Sequence, residues 1–260
     1  MVRTDEDQVD TAKQQVSLSG PWGPCILERM KEADFDLVVE QGVELQQQFP
    51  GKQLVAVGGT AAALYCGHRF SLDVDCVTPL LAGEYDDFTA RLENWPGWQT
   101  NRKNPPVLIL GEREGVELGL RQLRRSIPLR AAKAHGLVIP TLDETLRVKA
   151  FLLSERRATR DYIDFAALAQ KAGEEFTLVA LAGLNLFYPG GSQTTVTRFA
   201  EACESLPADF IAVDLRNYKG LAAPFNDWIL VSETCRGAGR QLLKQELAGI
   251  LPTSLPPDLQ

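Results

Sequence analysis

The sequence predicts an α/β fold of the α+β kind, with strands and helices mixed in its first half and helices alone after that. Three observations predict it. A strand, a glycine turn, a helix and a second strand follow in direct succession in "QLVAVGGTAAALYCGHRFSLDVDCV". Two more strand-like segments flank a Gly-Glu-Arg-Glu-Gly turn in "PPVLILGEREGVELGLRQL". From "IPTLDETLRVKAFLLSERR" onward the periodicity is helical and strands become hard to find.

In chain order, residues 1–20 are polar and offer almost no apolar surface to offset the entropy of ordering, so they are expected to be a disordered tail. The fold is expected to begin near Trp22. Ile26, Met30, Phe35, Leu37, Val38, Val43 and Leu45 recur at helical spacing until Pro50 and Gly51 stop the pattern. "QLVAVGG" reads as a buried strand, "TAAALYCGH" as a small-residue helix with Thr60 as N-cap, and "FSLDVDCV" as the next strand. "EYDDFTARLENW" reads as a helix. A soft boundary at residues 130–142 divides a core at 21–141 from a helical region at 142–250, and the proline-rich segment 251–260 is expected to be a second disordered tail.

Composition narrows the function. With 45% hydrophobic and 23% charged residues in 260, the chain has the make-up of an ordinary folded protein. A net charge of −7 argues against nonspecific coating of nucleic acid or acidic membrane, but leaves room for a local basic cleft. The five cysteines show no C-x-x-C spacing and read as reduced thiols of a cytoplasmic protein. No apolar leader and no run of membrane-spanning length is evident, so no membrane association is expected. His68 and His135 have no Cys or His partners at metal-ligand spacing, so no zinc is expected. The tryptophans are expected to pack rather than to stack on bases.

Alternation in a strand puts Asp73 and Asp75 on one face and Leu72, Val74 and Cys76 on the other. Two like charges so close are unfavourable without a cation between them, and oxygen ligands suit Mg²⁺ or Mn²⁺; a solvated strand end is the alternative. Gly58 and Gly59 serve equally a tight strand-to-helix turn and a phosphate grip, in which the helix N-terminus offers N–H groups and Thr60 a hydroxyl. Val116, Leu118 and Leu120 form the core side of a later strand, which leaves Glu117 on the other side as a possible third carboxylate.

Downstream, an unbroken helix would align Lys149, Arg156 and Arg160 while turning Asp161 away. A break with Thr159 as N-cap is the expected geometry, because it puts Asp161 in a first turn facing the cleft. Asp161 pairing with Arg156 or Arg157 is the alternative, and Asp164 is expected to be a helix-surface partner for an arginine. Residues 121–160 hold ten Lys or Arg against three Asp or Glu, a basic band suited to triphosphate and an RNA backbone.

"GGTAAALYCGHRFSLDVDC" resembles the G-G-[ST]…R-x-S-x-D-x-D signature of nucleotidyltransferases of the DNA polymerase β superfamily, in the variant of the AbiEii/AbiGii toxin family. "KAFLLSERRATRDYIDF" is similar to that family's second hallmark, here Lys149, Arg156, Arg160, Asp161 and Asp164. The resemblance covers residues 33–170 and is only vague beyond them. It implies a polymerase-β-type core with a mixed sheet, and transfer of a nucleoside monophosphate from an NTP to an acceptor hydroxyl with release of pyrophosphate. Matched position by position, it implies Gly58, Gly59, Thr60, Arg69, Ser71, Lys149 and Arg160 at the nucleotide, and Asp73 and Asp75 on Mg²⁺ or Mn²⁺; the family's third metal carboxylate is variable, and Glu117 is the candidate for it because the strand face permits it. Asp161 or a third carboxylate, with Glu117 the candidate, is left as the general base. It further implies a toxin with tRNA or other RNA as acceptor and an antitoxin protein as partner. Transfer to protein or to a small molecule, and a nucleotide-binding regulator without activity, are the alternatives.

Overall fold

The computed structural model describes residues 26–215 and 218–255, with the side chains of residues 26–33 left aside. The N-terminal tail and Trp22 among the expectations above therefore lie outside what is described, as do the side chains of Ile26 and Met30. A long helix α1 (Ile26–Gln48) leads into a five-stranded sheet and a helical C-terminal part. The sheet strands are β1 (Val55–Val57), β2 (Asp73–Thr78), β3 (Gln99–Asn104), β4 (Leu108–Arg113) and β5 (Val116–Gln122), in the order β1-β2-β5-β4-β3. Only β2 and β5 run parallel; the other neighbours are antiparallel, so the sheet is mixed. Helices α2 (Gly58–Cys66) and α3 (Tyr85–Glu93) fall between strands. A hairpin of β6 (Ala131–Ala134) and β7 (Leu137–Pro140) precedes α4 (Leu142–Arg156), α5 (Thr159–Ala172), α6 (Glu174–Ala182), α7 (Leu184–Phe187), α8 (Thr195–Glu204) and α9 (Trp228–Leu247).

One face of the sheet is apolar for the reason its alternation predicts. Ala56, Val74, Cys76, Ile109, Leu118 and Leu120 are buried in the same cluster as Val38 and Leu45 of α1 and Phe165 of α5. That cluster continues through α8 and α9 to Leu242, so the two halves share a core. Trp95 stacks on Trp98, and Trp228 packs against Tyr162 and Phe210.

Three details depart from expectation. Leu72, placed by alternation on the core side, is 51% exposed, because β2 begins only at Asp73. Two strand segments went unforeseen. β3, "QTNRKN", has no apolar alternation because it is a solvent-facing edge, and β6–β7 turns through His135 and Gly136, both at positive φ, in the region taken as a boundary. Of the expected C-terminal tail, Leu251 and Leu255 pack against the core, and residues 256–260 lie outside the described chain.

Candidate active site

Register carries the site together. Val57, the last residue of β1, pairs with Asp75, so the chain enters α2 directly beside the aspartates. Asp73 and Asp75 are half-buried while Val74 and Cys76 are fully buried, as alternation requires. In the parallel pairing, Asp73 lies opposite Glu117, Asp75 opposite Gly119, and Val77 opposite Arg121, so all of these share one face. The glycine there has a purpose: a Cβ on Gly119 would stand 2.2 Å from Asp75 Oδ1, in space the carboxylate itself needs. Arg121 Nε donates to Asp75 Oδ1 at 2.9 Å, and Ser71 Oγ donates to Asp73 Oδ1 at 3.1 Å. Glu117 is exposed, and among the described residues no three Asp, Glu, His or Cys side chains converge as a ligand set. The donors that do come together, two carboxylates and a serine hydroxyl, are all oxygen, which fits a hard divalent cation.

α2 starts at Gly58, earlier than the sequence suggested. Thr60 is therefore not the N-cap, a position taken by Val57 without a side-chain bond. The Thr60 hydroxyl donates to the Asp73 carbonyl at 2.6 Å, which ties the helix start to the carboxylate strand. Gly58 sits at φ +76°, a conformation that favours glycine. A Cβ on Gly59 would come within 2.6 Å of Arg69 Nη2 and 2.9 Å of Ser71 Oγ. Gly59→Ala is thus expected to cost roughly 1–3 kcal/mol, read as a lowered denaturant midpoint with an unchanged slope.

Beneath this surface the second motif meets the first. The helix breaks where expected: Arg157 adopts left-handed φ 46° as the C-cap of α4, and α5 begins at Thr159. Thr159 is the first helical residue and not the cap, and Asp209 accepts from both its backbone N–H, at 2.7 Å, and its hydroxyl, at 2.8 Å. Asp164, expected at a helix surface, is completely buried. Its carboxylate accepts from Arg69 Nε at 2.7 Å and Nη2 at 2.8 Å, from Lys149 Nζ at 2.6 Å and from His68 Nε2 at 2.8 Å. Asp161 is equally buried, accepting from Lys149 Nζ at 3.2 Å and from Arg156 Nε at 2.5 Å and Nη2 at 2.9 Å. It does not face an open cleft. Lys149 and Arg69, 1% and 4% exposed, are likewise occupied by carboxylates.

Burial alone would raise the Asp164 pKa, but Arg69, Lys149 and the His68 hydrogen bond hold it well below the usual carboxylate range. Asp161 is lowered in the same way, burial being outweighed by Lys149 and Arg156. Burial lowers the His68 pKa more than Asp164 can raise it. The ionised Asp164 can only accept, so Nε2 of His68 carries the proton and Nδ1 is left buried without a partner. All three shifts act in one direction. Depressed carboxylates lose their stabilisation as pH falls through their folded pKa, and a His with a depressed folded pKa takes its proton more readily in the unfolded chain below about 6.5. Thermal melts should therefore show stability declining from neutral pH downward, and His68→Gln should flatten that decline between pH 7 and 5.5 while leaving the steeper loss near pH 4.

The basic band is largely ion-paired within the chain. Arg125 is buried against Glu144 at 2.8 Å, Arg147 reaches Glu144 at 3.0 Å, and Arg130 pairs with Asp143. With Arg121, Lys149 and Arg156 also paired, six of the ten cations counted in sequence, Arg147 among them, have carboxylate partners. Arg124, Lys133, Arg157 and Arg160 have no ion pair among the described residues.

The whole is a mixed α/β fold with a helical C-terminal part, carrying one polar sheet face beside a glycine-led helix. No protein-family model matches the chain. It is similar to JHP933 from Helicobacter pylori (17% identity, 82% of this chain and 95% of that one, TM-score 0.49). It is also similar to a putative nucleotidyltransferase from H. pylori (15%, 86% and 98%, TM-score 0.48). A third likeness is to ANT(2'')-Ia in complex with adenylyl-2''-tobramycin (15%, 60% and 98%, TM-score 0.42). Over 161 residues the sequence is 34% identical to the heme uptake protein MmpL11 of Mycobacterium tuberculosis, a stretch that is 60% of this chain and spans only 16% of that protein. Likenesses this slight leave the functional reading to the residues themselves.

Proposed function

We propose that this chain is a nucleotidyltransferase that moves a nucleoside monophosphate from an NTP to an acceptor hydroxyl and releases pyrophosphate. The observation that carries the proposal is the register that sets Asp73 and Asp75 side by side on an open sheet face, next to the N-terminus of α2. The paired carboxylates would hold Mg²⁺ or Mn²⁺, with Ser71 orienting Asp73. Such an ion supplies charge neutralisation at the transferred phosphoryl group. Gly58 and Gly59 let phosphate approach the backbone at the positive end of α2. Asp161, Asp164, Arg69 and Lys149 are proposed to fix the position of this site from below and not to touch substrate. With Asp161 occupied, Glu117 is the more accessible carboxylate for a general base.

The resemblance of both motifs to the AbiEii/AbiGii family supports an RNA acceptor, tRNA first, and the role of a cytoplasmic toxin countered by an antitoxin. It also supports a division into a nucleotidyltransferase core over 21–141 and a helical region over 142–250. Four of the cysteines are free thiols, three of them buried, in keeping with a reducing compartment. No described helix is long and apolar enough to cross a membrane. The test is label transfer from each α-labelled NTP with Mg²⁺, with and without total tRNA. Label in tRNA supports the reading, label in protein moves the acceptor, and no label with any NTP or acceptor overturns it.

A further inference from the structure

We infer that Lys219, delivered by a strap from the C-terminal part of the chain, is a cation that grips the substrate's phosphates beside Asp73, with Arg160 as its companion. This deepens the nucleotidyltransferase reading and rests on it. A triphosphate needs cationic partners in addition to a divalent ion, and the cations of both motifs other than Arg160 are engaged elsewhere. Lys149 and Arg69 are buried on Asp161 and Asp164, and Arg156 is bound to Asp161.

Residues 218–222 fold back over the segment between α2 and β2. Phe70 N–H donates to the Lys219 carbonyl at 2.9 Å, and Ala222 N–H donates to the His68 carbonyl at 2.8 Å. The Arg69 guanidinium lies over the Tyr218 ring at 5.9 Å. Gly220, at φ +66°, lies so close to Phe70 that a Cβ there would be 2.6 Å from its ring. Lys219 itself is held at φ 45°, an uncommon conformation for a residue with a side chain, which persists only where surrounding contacts enforce it. These contacts put the half-buried Lys219 close enough to Asp73, Arg69 and Arg160 to feel each of their charges. Neither Lys219 nor Arg160 has an ion pair among the described residues. The strap thus sets a cation without an ion pair beside the segment that leads into Asp73, in a half-buried place where attraction to an anion is stronger than in water.

The experiment is calorimetric titration of the full chain with ATP, GTP, CTP and UTP and with the matching monophosphates, in Mn²⁺. It compares wild type with Lys219→Ala, Lys219→Arg and Gly220→Ala, with thermal melts to confirm folding. Lys219→Ala is expected to weaken binding of the preferred triphosphate about tenfold, with little effect on the monophosphate, and Lys219→Arg to restore most of it. Gly220→Ala should reproduce the loss with the lysine intact, because it displaces the strap from Phe70. Equal triphosphate affinity in wild type and Lys219→Ala, in a wild type that binds NTP, overturns this inference alone. A wild type that binds no NTP overturns the nucleotidyltransferase reading and this inference with it.

Discussion

Asp164→Asn is expected to destabilise the protein by about 3–5 kcal/mol, the usual cost of leaving a buried charge without its partner. The magnitude follows from burial. Asp164, His68, Arg69 and Lys149 are all 4% exposed or less, so water cannot take over the hydrogen bonds that the carboxylate now accepts. The amide keeps the shape and one acceptor oxygen, but in place of the other oxygen it turns a donating NH₂ group toward two cations and a donating imidazole. Asp161 can compensate Lys149 in part, since it already accepts from that ammonium; the other hydrogen bonds of Arg69 go to Asp164, so Arg69 would keep its bond to the Phe70 carbonyl at 2.9 Å. Against a typical total of 5–15 kcal/mol such a loss is severe, and urea denaturation would measure it. Arg69→Met should also destabilise, and the double variant should cost clearly less than the sum of the two, because each single change strands the other's partner. Strict additivity would show that the pair is not coupled and that the cluster does not bind the two halves.

Asp73→Asn and Asp75→Asn should behave in the opposite way, reducing label transfer by about 10³-fold or more while hardly moving the denaturation midpoint. Both carboxylates are partly exposed, and the groups they engage are undemanding. Arg121 is 43% exposed and returns to water at little cost, and Ser71 retains the Asp73 carbonyl at 3.4 Å. Wild-type turnover in either variant would sink the assignment of the metal to this pair. A large loss of stability would show instead that the aspartates are structural. The contrast between these two sets of variants separates the residues that hold the site from those that perform its chemistry.

How much of this was legible in the sequence depends on how local the information is. The faces of β2 and β5 were legible because period-two alternation is written in consecutive residues, and so was the break before α5, where Thr159 weakens the helix. The exact start of α2 was not, because Thr60 looks like a cap until its hydroxyl is seen to bond Asp73. The β6–β7 hairpin carried a readable sign in its His-Gly turn, but β3 carried none. Asp164 as the centre of the charge cluster was beyond reach. His68 and Arg69 lie 96 and 95 residues away, and only the packing of α2 and α4 on α5 brings them together. The basic band misled for a related reason, since a count along the chain cannot show that most of its charges meet carboxylates from other turns.

The polar edge of the sheet has a consequence for how copies of this chain meet in a crowded cell. β3 ends the sheet, and its outer row of N–H and C=O groups is the kind of template on which a second sheet can grow. Arg102 and Lys103 stand on that strand, both exposed, in a segment without a single large apolar side chain. Two such edges brought together would set like charges against each other and would gain almost no apolar contact in return. The strand that gave no sign of itself in the sequence is thereby the one best suited to keep its neighbours apart.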